Sequence, residues 1–310
     1  MNISRIPYGS HEEWLSIRKQ YIGGSDAGAV MGLNPYSSPY SVWAEKTGKT
    51  APFEGNVITK VGGYLEELVA KMFEEETGKK VQRCNFTLVN DAYPFACANV
   101  DRLVVGEDAI LECKTTNSYV NIKKFRTGDF PEQWYCQVMH YLAVTGRKTA
   151  YLAVLSESRE FRIFTVERDN DEIAALMDTE RKFWEHVIKK TPPASDGSPA
   201  TTDAINEIYS ADDGSSIELF GLEAQLQARE ALKAQIKELK EQADSIDNDI
   251  KLQMGSASRG TCGKWTVSWS TTSRTNFDYK KFREDNPTID LSRYEKDSSS
   301  RTLRITEKKR

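Results

Sequence analysis

The chain has 310 residues, of which 39% are hydrophobic and 28% are charged, and its formal net charge at pH 7 is −4. This composition is typical of a soluble globular protein and excludes a disordered chain, and no apolar run reaches the roughly 20 residues of a membrane span. The acidic net charge does not exclude a nucleic-acid partner, because affinity for phosphate depends on local basic surface.

The cysteines and the first residues of the chain indicate the cellular compartment of the protein. Five cysteines occur without any C-x-x-C pair, which favours a reducing cytoplasm and argues against an iron–sulfur cluster held by a set of thiolates. Residues 1–11 contain no apolar core of the kind that a signal peptide has. We therefore expect a cytoplasmic protein.

The first element that bears on function is a helix predicted from Val61 to about Thr77. Its apolar residues recur at helical spacing and predict a core stripe of Leu65, Leu68, Val69 and Met72. Glu66 is expected on the first turn, where it either completes a metal site or simply interacts with the helix dipole. Glu67 is expected on the solvent side.

Two adjacent strands are predicted next, at residues 95–105 and 109–115, and both carry acidic residues. Asp101 ends the hydrophobic run of the first strand, and alternation in the second puts Glu112 and Lys114 on one face. Two carboxylates can bind Mg²⁺ through oxygen while a lysine orients or deprotonates a water, as in phosphodiester hydrolysis. The alternative is that these charges merely face solvent, which would be unexpected in a mostly buried strand.

A further helix is predicted from Pro131 to Tyr141, with the proline in its first turn. Gln137 and Tyr141 are four residues apart and therefore share a face. The amide of Gln137 suits a role in holding a water or a phosphate oxygen, although it is equally typical of a surface glutamine. His140 lies off this face and is interpreted as structural.

Several residues in this part of the chain are candidate DNA contacts. A short basic cluster before the Gly128-Asp129 turn has the charge to flank a DNA channel. With the tyrosine of the following helix, the candidates are Tyr141, Lys123, Lys124 and Arg126.

The composition changes after Pro193. Residues 194–216 are rich in Ser, Asp, Thr, Ala and Gly and predict a linker. A long helix is then predicted over residues 217–254, with apolar residues spaced alternately four and three, as in a coiled coil. These residues are Leu232, Ile236, Leu239, Ala243, Ile246 and Ile250. They are expected to pack onto another helix, either within the chain or from a neighbour.

The end of the chain predicts a small β appendage. Residues 264–269 alternate like a strand, and a second strand is predicted at residues 301–306. Trp265 and Trp269 would share one face of the first strand. They are expected to form a small core, with stacking on single-stranded bases as the alternative.

Six short motifs, taken together and in order, resemble the YqaJ family of viral recombinases, relatives of phage lambda exonuclease. The motifs are Arg18…Ile22-Gly23-Gly24-Ser25-Asp26, Asn34-Pro35-Tyr36, Gly62-x-x-Leu65-Glu66, Asn99-x-Asp101, Leu111-Glu112-x-Lys114 and Gln137-Val138-x-His140-Tyr141. The resemblance covers about residues 10–193. It implies an α/β (α+β) fold with a restriction-endonuclease-like core, in which helices flank a central mixed sheet. Residues 1–193 would form this nuclease domain, and residues 217–310 an extension.

The resemblance also implies roles for the acidic cluster. The aspartate and glutamate of this PD-(D/E)xK motif bind the catalytic metal together with a backbone carbonyl, here that of Cys113. The lysine positions the attacking water, a helix glutamate supports a second ion, and a glutamine assists. The implied catalytic residues are Glu66, Asp101, Glu112, Lys114 and Gln137, and the implied cofactor is a pair of Mg²⁺ ions for which Mn²⁺ can substitute.

A second implied site would hold the 5′-phosphate of the degraded strand. The family uses an arginine and a serine seven residues apart, and Arg18 and Ser25 match that spacing. Asn99 stands where the lambda enzyme has a second phosphate-contacting serine. Arginine suits this role because its guanidinium forms bidentate, charge-assisted bonds to phosphate. The alternative for Ser25-Asp26 is an ordinary helix cap before residues 27–31, and both interpretations can hold at once.

The function implied by the resemblance is a Mg²⁺-dependent 5′→3′ exonuclease on linear double-stranded DNA that leaves 3′ single-stranded tails. Its partner would be a single-strand annealing protein of the RecT/Redβ type, and its assembly a ring-shaped trimer. A phage or prophage gene expressed in a bacterial cytoplasm would encode it. The alternatives are a structure-specific or site-specific endonuclease on the same fold, and a non-catalytic scaffold that binds DNA ends.

Overall fold

The protein is described by a computed structural model that covers residues 2–51, 55–156, 160–296 and 300–306, with Tyr119 and Arg126 described by their backbone alone. Contacts between residues divide the chain into an N-terminal unit, Met1–Ser210, and a C-terminal unit, Ala211–Arg310. Among the described residues no helix has the length and apolarity needed to cross a membrane. The five cysteines are free thiols.

The N-terminal unit contains both strands and helices. Its strands are β1 (Ile3–Pro7), β2 (Ile22–Gly23), β3 (Val81–Arg83), β4 (Phe86–Asn90), β5 (Ala96–Ala98), β6 (Arg102–Val104), β7 (Ala109–Thr116), β8 (Thr149–Ser156) and β9 (Glu160–Glu167). Its helices are α1 (His11–Lys19), α2 (Gly24–Val30), α3 (Pro39–Lys46), α4 (Val57–Thr77), α5 (Tyr119–Arg126), α6 (Glu132–Thr145), α7 (Asn170–Lys189) and α8 (Pro199–Ile208).

The strands form two mixed sheets. The larger has the order β3-β6-β7-β8-β9, in which β7 and β8 are parallel and the other neighbours antiparallel. The smaller has the order β1-β4-β5-β2, with β2 parallel to β5. The connection from β7 to β8 includes α5 and α6, as parallel strands require a crossover. The predicted α/β (α+β) core, a mixed sheet flanked by helices, is confirmed.

Helices cover both faces of β7 and β8. Successive side chains of a strand point to opposite faces, so Ile110 and Leu152 join the cluster around α6. Leu111 and Ala153 join Val69 and its neighbours on α4. These strands are therefore apolar on both faces, as expected for buried parallel strands. A charged side chain in β7 is consequently held within the protein rather than on an open surface.

Helix α4 begins earlier than predicted, at Val57 rather than Val61, because the Asn56 side chain caps it by accepting from the Thr59 N–H. Its buried residues recur at intervals of four, as in Val69 and Phe73. Leu68 lies off that line and is 45% exposed, so its predicted place in the core stripe is wrong.

The strand predicted at residues 95–105 is in fact two strands in different sheets, β5 and β6. Polar residues between them turn the chain. The Asn99 Oδ1 accepts from the Thr87 hydroxyl at 2.8 Å, and the Asp101 Oδ2 accepts from the Cys113 N–H at 2.8 Å. Asp101 therefore lies where the chain passes from one sheet to the other.

Part of the predicted linker is folded. Residues 199–208 form α8, which starts at Pro199 with Ser198 as its N-cap. The Thr201 hydroxyl, within this helix, donates to the Ser38 Oγ at 2.7 Å, and Ala204 is buried in the main core. Serine and proline favour helix starts as well as loops, and composition alone does not distinguish the two.

The C-terminal unit contains α9 (Glu223–Met254), β10 (Arg259–Cys262), β11 (Trp265–Ser268), α10 (Tyr279–Asp285) and a 3₁₀ turn at Ser292–Tyr294. The predicted long helix is confirmed but starts six residues later than residue 217. The predicted strand at residues 264–269 is β11, and it pairs with β10 in a hairpin. The described residues 300–306 contain no strand, so the strand predicted at residues 301–306 is wrong. Trp265 and Trp269 are exposed, so the predicted small core is wrong as well.

Candidate active site

A cleft of about 330 Å³ opens between α4 and the end of β7. Its walls include the acidic residues predicted from the two strands and from the preceding helix. The polar lining consists of Thr59, Glu66, Asp101, Glu112, Lys114 and Thr115. The structure thus brings together in one cleft the four charged residues that the sequence singles out.

Glu112 and Lys114 lie two residues apart on β7 and interact directly. The Lys114 Nζ is 2.7 Å from the Glu112 Oε1. Glu112 is 3% exposed, and its second oxygen, Oε2, is buried without a hydrogen-bond partner in the described part of the chain. An unsatisfied buried carboxylate oxygen is costly. A ligand bound to this oxygen would remove that cost.

Gln137 on α6 connects this pair to the protein interior. Its Oε1 accepts from the Lys114 Nζ at 2.8 Å, and its Nε2 donates to the Glu112 Oε1 at 2.7 Å. The same Nε2 is 3.2 Å from the Tyr141 hydroxyl, which confirms that Gln137 and Tyr141 share a helix face. Tyr141 is only 5% exposed and belongs to this buried network, and its contact with DNA stays a prediction.

Glu66 lies in the third turn of α4, not in its first turn, so the alternative role beside the helix dipole is excluded. Its carboxylate pairs with the Arg102 guanidinium. Arg102 is 4% exposed and also donates to the Glu67 Oε2 at 2.8 Å and to the Asp101 carbonyl at 2.7 Å. Sequence analysis missed Arg102, although a cation directly after Asp101 in an apolar strand was a usable signal.

Burial and mutual repulsion dominate the electrostatics of the carboxylates. Burial raises the pKa of Asp101 well above its usual range, and the charges of Glu112 and Glu66 raise it further. Burial also raises the pKa of Glu112, although Lys114 opposes this effect. A cation between the carboxylates would favour their ionised forms.

The donors of the cleft fit a hard divalent cation such as Mg²⁺, which prefers oxygen ligands. Asp101, the free oxygen of Glu112 and the Cys113 carbonyl are the candidate ligands, and Glu66 is a candidate for a second ion. Among the described residues no three His, Cys, Asp or Glu side chains are arranged to hold a metal together. Arg102 pairs with Glu66, and this leaves the carboxylates of Asp101 and Glu112 for the first site. The Cys113 carbonyl and water would complete the ligands of that ion.

Arg18 and Ser25 also meet, as their spacing suggested. The Arg18 Nη2 donates to the Ser25 Oγ at 2.8 Å, and the guanidinium lies over the Trp14 ring. Ser25 is not the N-cap of α2, because the helix starts at Gly24 with Gly23 as its cap residue. The Asp26 side chain instead accepts from the Gly23 N–H at 3.0 Å. The cap alternative is therefore correct for Asp26 and wrong for Ser25.

This Arg18–Ser25 pair is joined to the Gln137 network by a close helix contact. A Cβ atom added to Gly24 would lie 2.3 Å from the Tyr141 ring, and one added to Gly28 would lie 2.7 Å from the Gln133 Cβ. Both glycines are thus required for the approach of α2 to α6. Ser25 on α2 and Gln137 on α6 therefore stand on two helices in direct contact.

Asp26 is a buried anion between two cations. The Lys46 Nζ is 2.7 Å from its Oδ2, and the Arg18 Nη2 is 3.4 Å from its Oδ1. Burial opposes ionisation, but Lys46 and Arg18 outweigh it and lower the pKa of Asp26 to about 2. Because the folded-state pKa lies below the unfolded value, ionised Asp26 stabilises the fold above about pH 4. That stabilisation is lost as the pH falls towards 2.

We predict that Asp26→Asn lowers the free energy of unfolding at pH 7 by about 3 kcal/mol, because it leaves Lys46 buried without its anion. The difference from wild type should shrink between pH 4 and pH 2. Urea unfolding at several pH values measures both effects, with exposed Asp203→Asn on α8 as control. An unchanged acid dependence in Asp26→Asn would contradict the assignment.

The remaining predicted contacts lie outside these two clusters. Asn99 is half-buried and bonded to Thr87. Lys123 is exposed and Lys124 half-buried on α5, which begins three residues after β7 ends. The side chain of Arg126 lies outside the described residues. Contact of these residues with DNA stays a prediction.

His140 has the structural role that its position on α6 suggested. Its Nδ1 is 2.8 Å from the Glu180 Oε1, and its Nε2 is 2.9 Å from the Cys97 carbonyl oxygen. Both side chains of this pair are fully buried. The contact ties α6 to α7 and to β5, behind the cleft.

Comparison with known proteins indicates the family to which this chain belongs. Residues 13–148 match the YqaJ-like viral recombinase domain. The uncharacterised protein YqaJ of Bacillus subtilis (strain 168) is 37% identical over 286 residues, which are 90% of this chain and 89% of that protein. Protein D345L of African swine fever virus is 48% identical over 40 residues, or 13% of this chain and 12% of that protein.

A solved structure shares the fold. The alkaline exonuclease LHK-Exo of Laribacter hongkongensis superposes with a TM-score of 0.52 at 22% identity, covering 58% of this chain and 94% of that one. The expectation of a nuclease agrees with this fold and with the recombinase family. Because its match to the Bacillus protein is 37% identical and covers most of both chains, this chain belongs to the YqaJ family.

Proposed function

We propose that the protein is a divalent-metal-dependent exonuclease that degrades one strand of linear duplex DNA from its 5′ end. The observation that carries this proposal is the buried Oε2 of Glu112, which has no hydrogen-bond partner among the described residues and lies beside Asp101 and Lys114 in an open cleft. Carboxylates that repel each other and a lysine at hydrogen-bond distance are the groups that hydrolysis of a phosphodiester requires. Membership of a recombinase family supports DNA as the substrate.

Asp101, Glu112 and the Cys113 carbonyl would hold one Mg²⁺, and Glu66 would support a second after release from Arg102. Such ions neutralise charge on the phosphate and acidify a bound water. Lys114 donates a hydrogen bond to the attacking water and orients it. The amide of Gln137 bonds to both Lys114 and Glu112 and keeps the two side chains in fixed positions.

The chemistry consumes one water for each nucleotide released. The water oxygen bonds to phosphorus, the bond from phosphorus to the 3′ oxygen of the terminal nucleotide breaks, and a proton passes to that leaving oxygen. The phosphate stays on the remaining strand. Every turnover therefore releases a 5′-mononucleotide and creates a new 5′-phosphate, and the opposite strand is left as a 3′ tail.

Arg18 and Ser25 are proposed to bind that terminal 5′-phosphate, with Asn99 as a further contact. A guanidinium and a hydroxyl 2.8 Å apart present donors to a common point. Recognition of the end would make the enzyme an exonuclease rather than an endonuclease.

We predict that Arg18→Ala lowers kcat/KM on a 5′-phosphorylated duplex by roughly 10- to 100-fold, the value of one charge-assisted contact. Activity on a 5′-hydroxyl duplex should change little. The neighbouring exposed Lys19→Ala is the control, and thermal unfolding checks that each variant is folded. An equal loss on both substrates would contradict a phosphate pocket here.

The partner and assembly are proposals of the same kind. A 3′ tail is the substrate of a single-strand annealing protein of the RecT/Redβ type, and a ring-shaped trimer around DNA would make degradation processive. Both proposals are supported by the family. Mn²⁺ is expected to replace Mg²⁺, since it accepts the same oxygen ligands.

The experiment that tests the proposed function uses a linear duplex with one labelled, 5′-phosphorylated end, incubated with Mg²⁺ or with chelator. We expect metal-dependent release of labelled mononucleotide and no cutting of a closed circular duplex. A nicked or linearised circle would instead identify an endonuclease. Binding without any cleavage would identify a DNA-end scaffold.

A further inference from the structure

Helix α9 carries an exposed apolar stripe, which consists of Leu232, Ile236, Leu239, Ala243, Ile246 and Ile250. The large members of this stripe are 36% to 64% exposed. Monomeric proteins rarely leave a contiguous apolar surface of this kind in water. Within the described part of the C-terminal unit, α10 has seven residues. It is too short to cover a stripe that extends over 19 residues of α9.

The spacing of the apolar stripe is the same in both directions. Its successive intervals are four, three, four, three and four residues, so the stripe has a centre between Leu239 and Ala243. Two copies laid side by side in opposite directions would therefore match at every layer. Leu232 would oppose Ile250, and Ile236 would oppose Ile246, each from the other copy.

Side-chain size favours the antiparallel direction over the parallel one. In a parallel pair Ala243 would face Ala243 and leave a gap in the middle of the interface, which would cost packing contacts. In an antiparallel pair Ala243 faces Leu239, so that a small residue meets a large one. The layer is then filled in both halves of the interface.

The charged residues beside the apolar stripe also favour the antiparallel direction. Lys233 and Asp247 flank the apolar stripe on the same side, at positions that face each other across an antiparallel pair. Two Lys233–Asp247 ion pairs would form in an antiparallel pair. Among these flanking positions, only Lys240 would face a residue of the same charge, the Lys240 of the other copy. In a parallel pair Lys233 would face Ala228, and Asp247 would face Gln242, so no ion pair would form.

We propose that α9 pairs with α9 of a second copy of this chain, antiparallel and through the apolar stripe. The pair links two nuclease units through their C-terminal extensions. It would place two DNA-processing units in one particle.

The test compares the mass of the full-length chain and of its variants by sedimentation over a range of concentrations. Leu239→Glu should lower the mass to that of the assembly which the nuclease unit forms without α9 pairing, which is half the mass if the nuclease unit is a monomer. Lys237→Glu, on the outer face of α9, should leave the mass unchanged. Circular dichroism verifies that α9 stays helical in each variant.

A charge reversal tests the direction of the pair. Lys233→Asp should raise the dissociation constant roughly fivefold, and the double variant Lys233→Asp/Asp247→Lys should restore it. The two residues are 14 positions apart, about 21 Å along one helix, so they cannot interact within one copy. Failure of the second change to restore association would overturn the antiparallel pair, and a mass that Leu239→Glu leaves unchanged would overturn the pairing itself.

Discussion

Lys114→Ala is expected to lower the rate of DNA hydrolysis by roughly 10²- to 10⁴-fold, the usual contribution of a group that handles the proton or the water in such a step. The Lys114 Nζ lies 2.7 Å from the Glu112 Oε1 and 2.8 Å from the Gln137 Oε1. Strand β7 and helix α6 thus fix its place in the cleft. Alanine removes this donor from the cleft.

Single-turnover release of mononucleotide measures this effect, and retention of a labelled duplex in the presence of Ca²⁺ measures binding separately. Lys182→Ala is the matched control, since that lysine is on the exposed face of α7 and pairs with Asp178. We expect the control to cleave at the wild-type rate. Wild-type cleavage by Lys114→Ala would remove the lysine from the proposed mechanism, and a parallel loss of binding would reassign it to DNA contact.

His140→Ala is expected to lower the free energy of unfolding by about 3–5 kcal/mol, because it leaves the fully buried Glu180 without its partner. Since the Cys97 carbonyl oxygen accepts from the His140 Nε2, the imidazole and the Glu180 carboxylate share the remaining proton. Burial lowers the pKa of His140, but the charge of Glu180 and the hydrogen bonds to Glu180 and Cys97 together outweigh it, and the pKa is raised.

Urea unfolding followed by tryptophan fluorescence measures the loss. Glu180→Ala should be comparably destabilised. Glu185→Ala, five residues further along α7, should change stability by less than about 1 kcal/mol, because the Glu185 side chain is 46% exposed and its ion pair with Arg181 lies at the surface. The double variant His140→Leu/Glu180→Met should recover part of the loss, because neither charge is then left unpaired. A double variant less stable than either single one would contradict the description of the pair.

The parts of the site that the sequence predicts are those set by local periodicity. Alternation in β7 puts Glu112 and Lys114 together, and the i, i+4 spacing of α6 puts Gln137 beside Tyr141. These relations follow from backbone geometry within a single element. They do not depend on how the elements pack.

The contacts that the sequence does not predict join residues from separate elements. Arg102 meets Glu66 across 36 positions of the chain, and nothing near either residue specifies the other. Helix α8 was missed for a related reason, because a buried Thr201–Ser38 bond and the burial of Ala204 stabilise it. Its own composition resembles a loop, and tertiary packing overrides that tendency.

The close contact of α2 with α6 has a consequence for the size of the product. Gly24 lies against Tyr141, Tyr141 accepts a bond from Gln137, and Gln137 holds Lys114 and Glu112. With Arg18 and Ser25 on the α2 side of this contact, the proposed phosphate site and the proposed metal site would be held at a fixed distance from each other. The distance between these two sites, rather than any feature of the bases, would then determine the length of every fragment released.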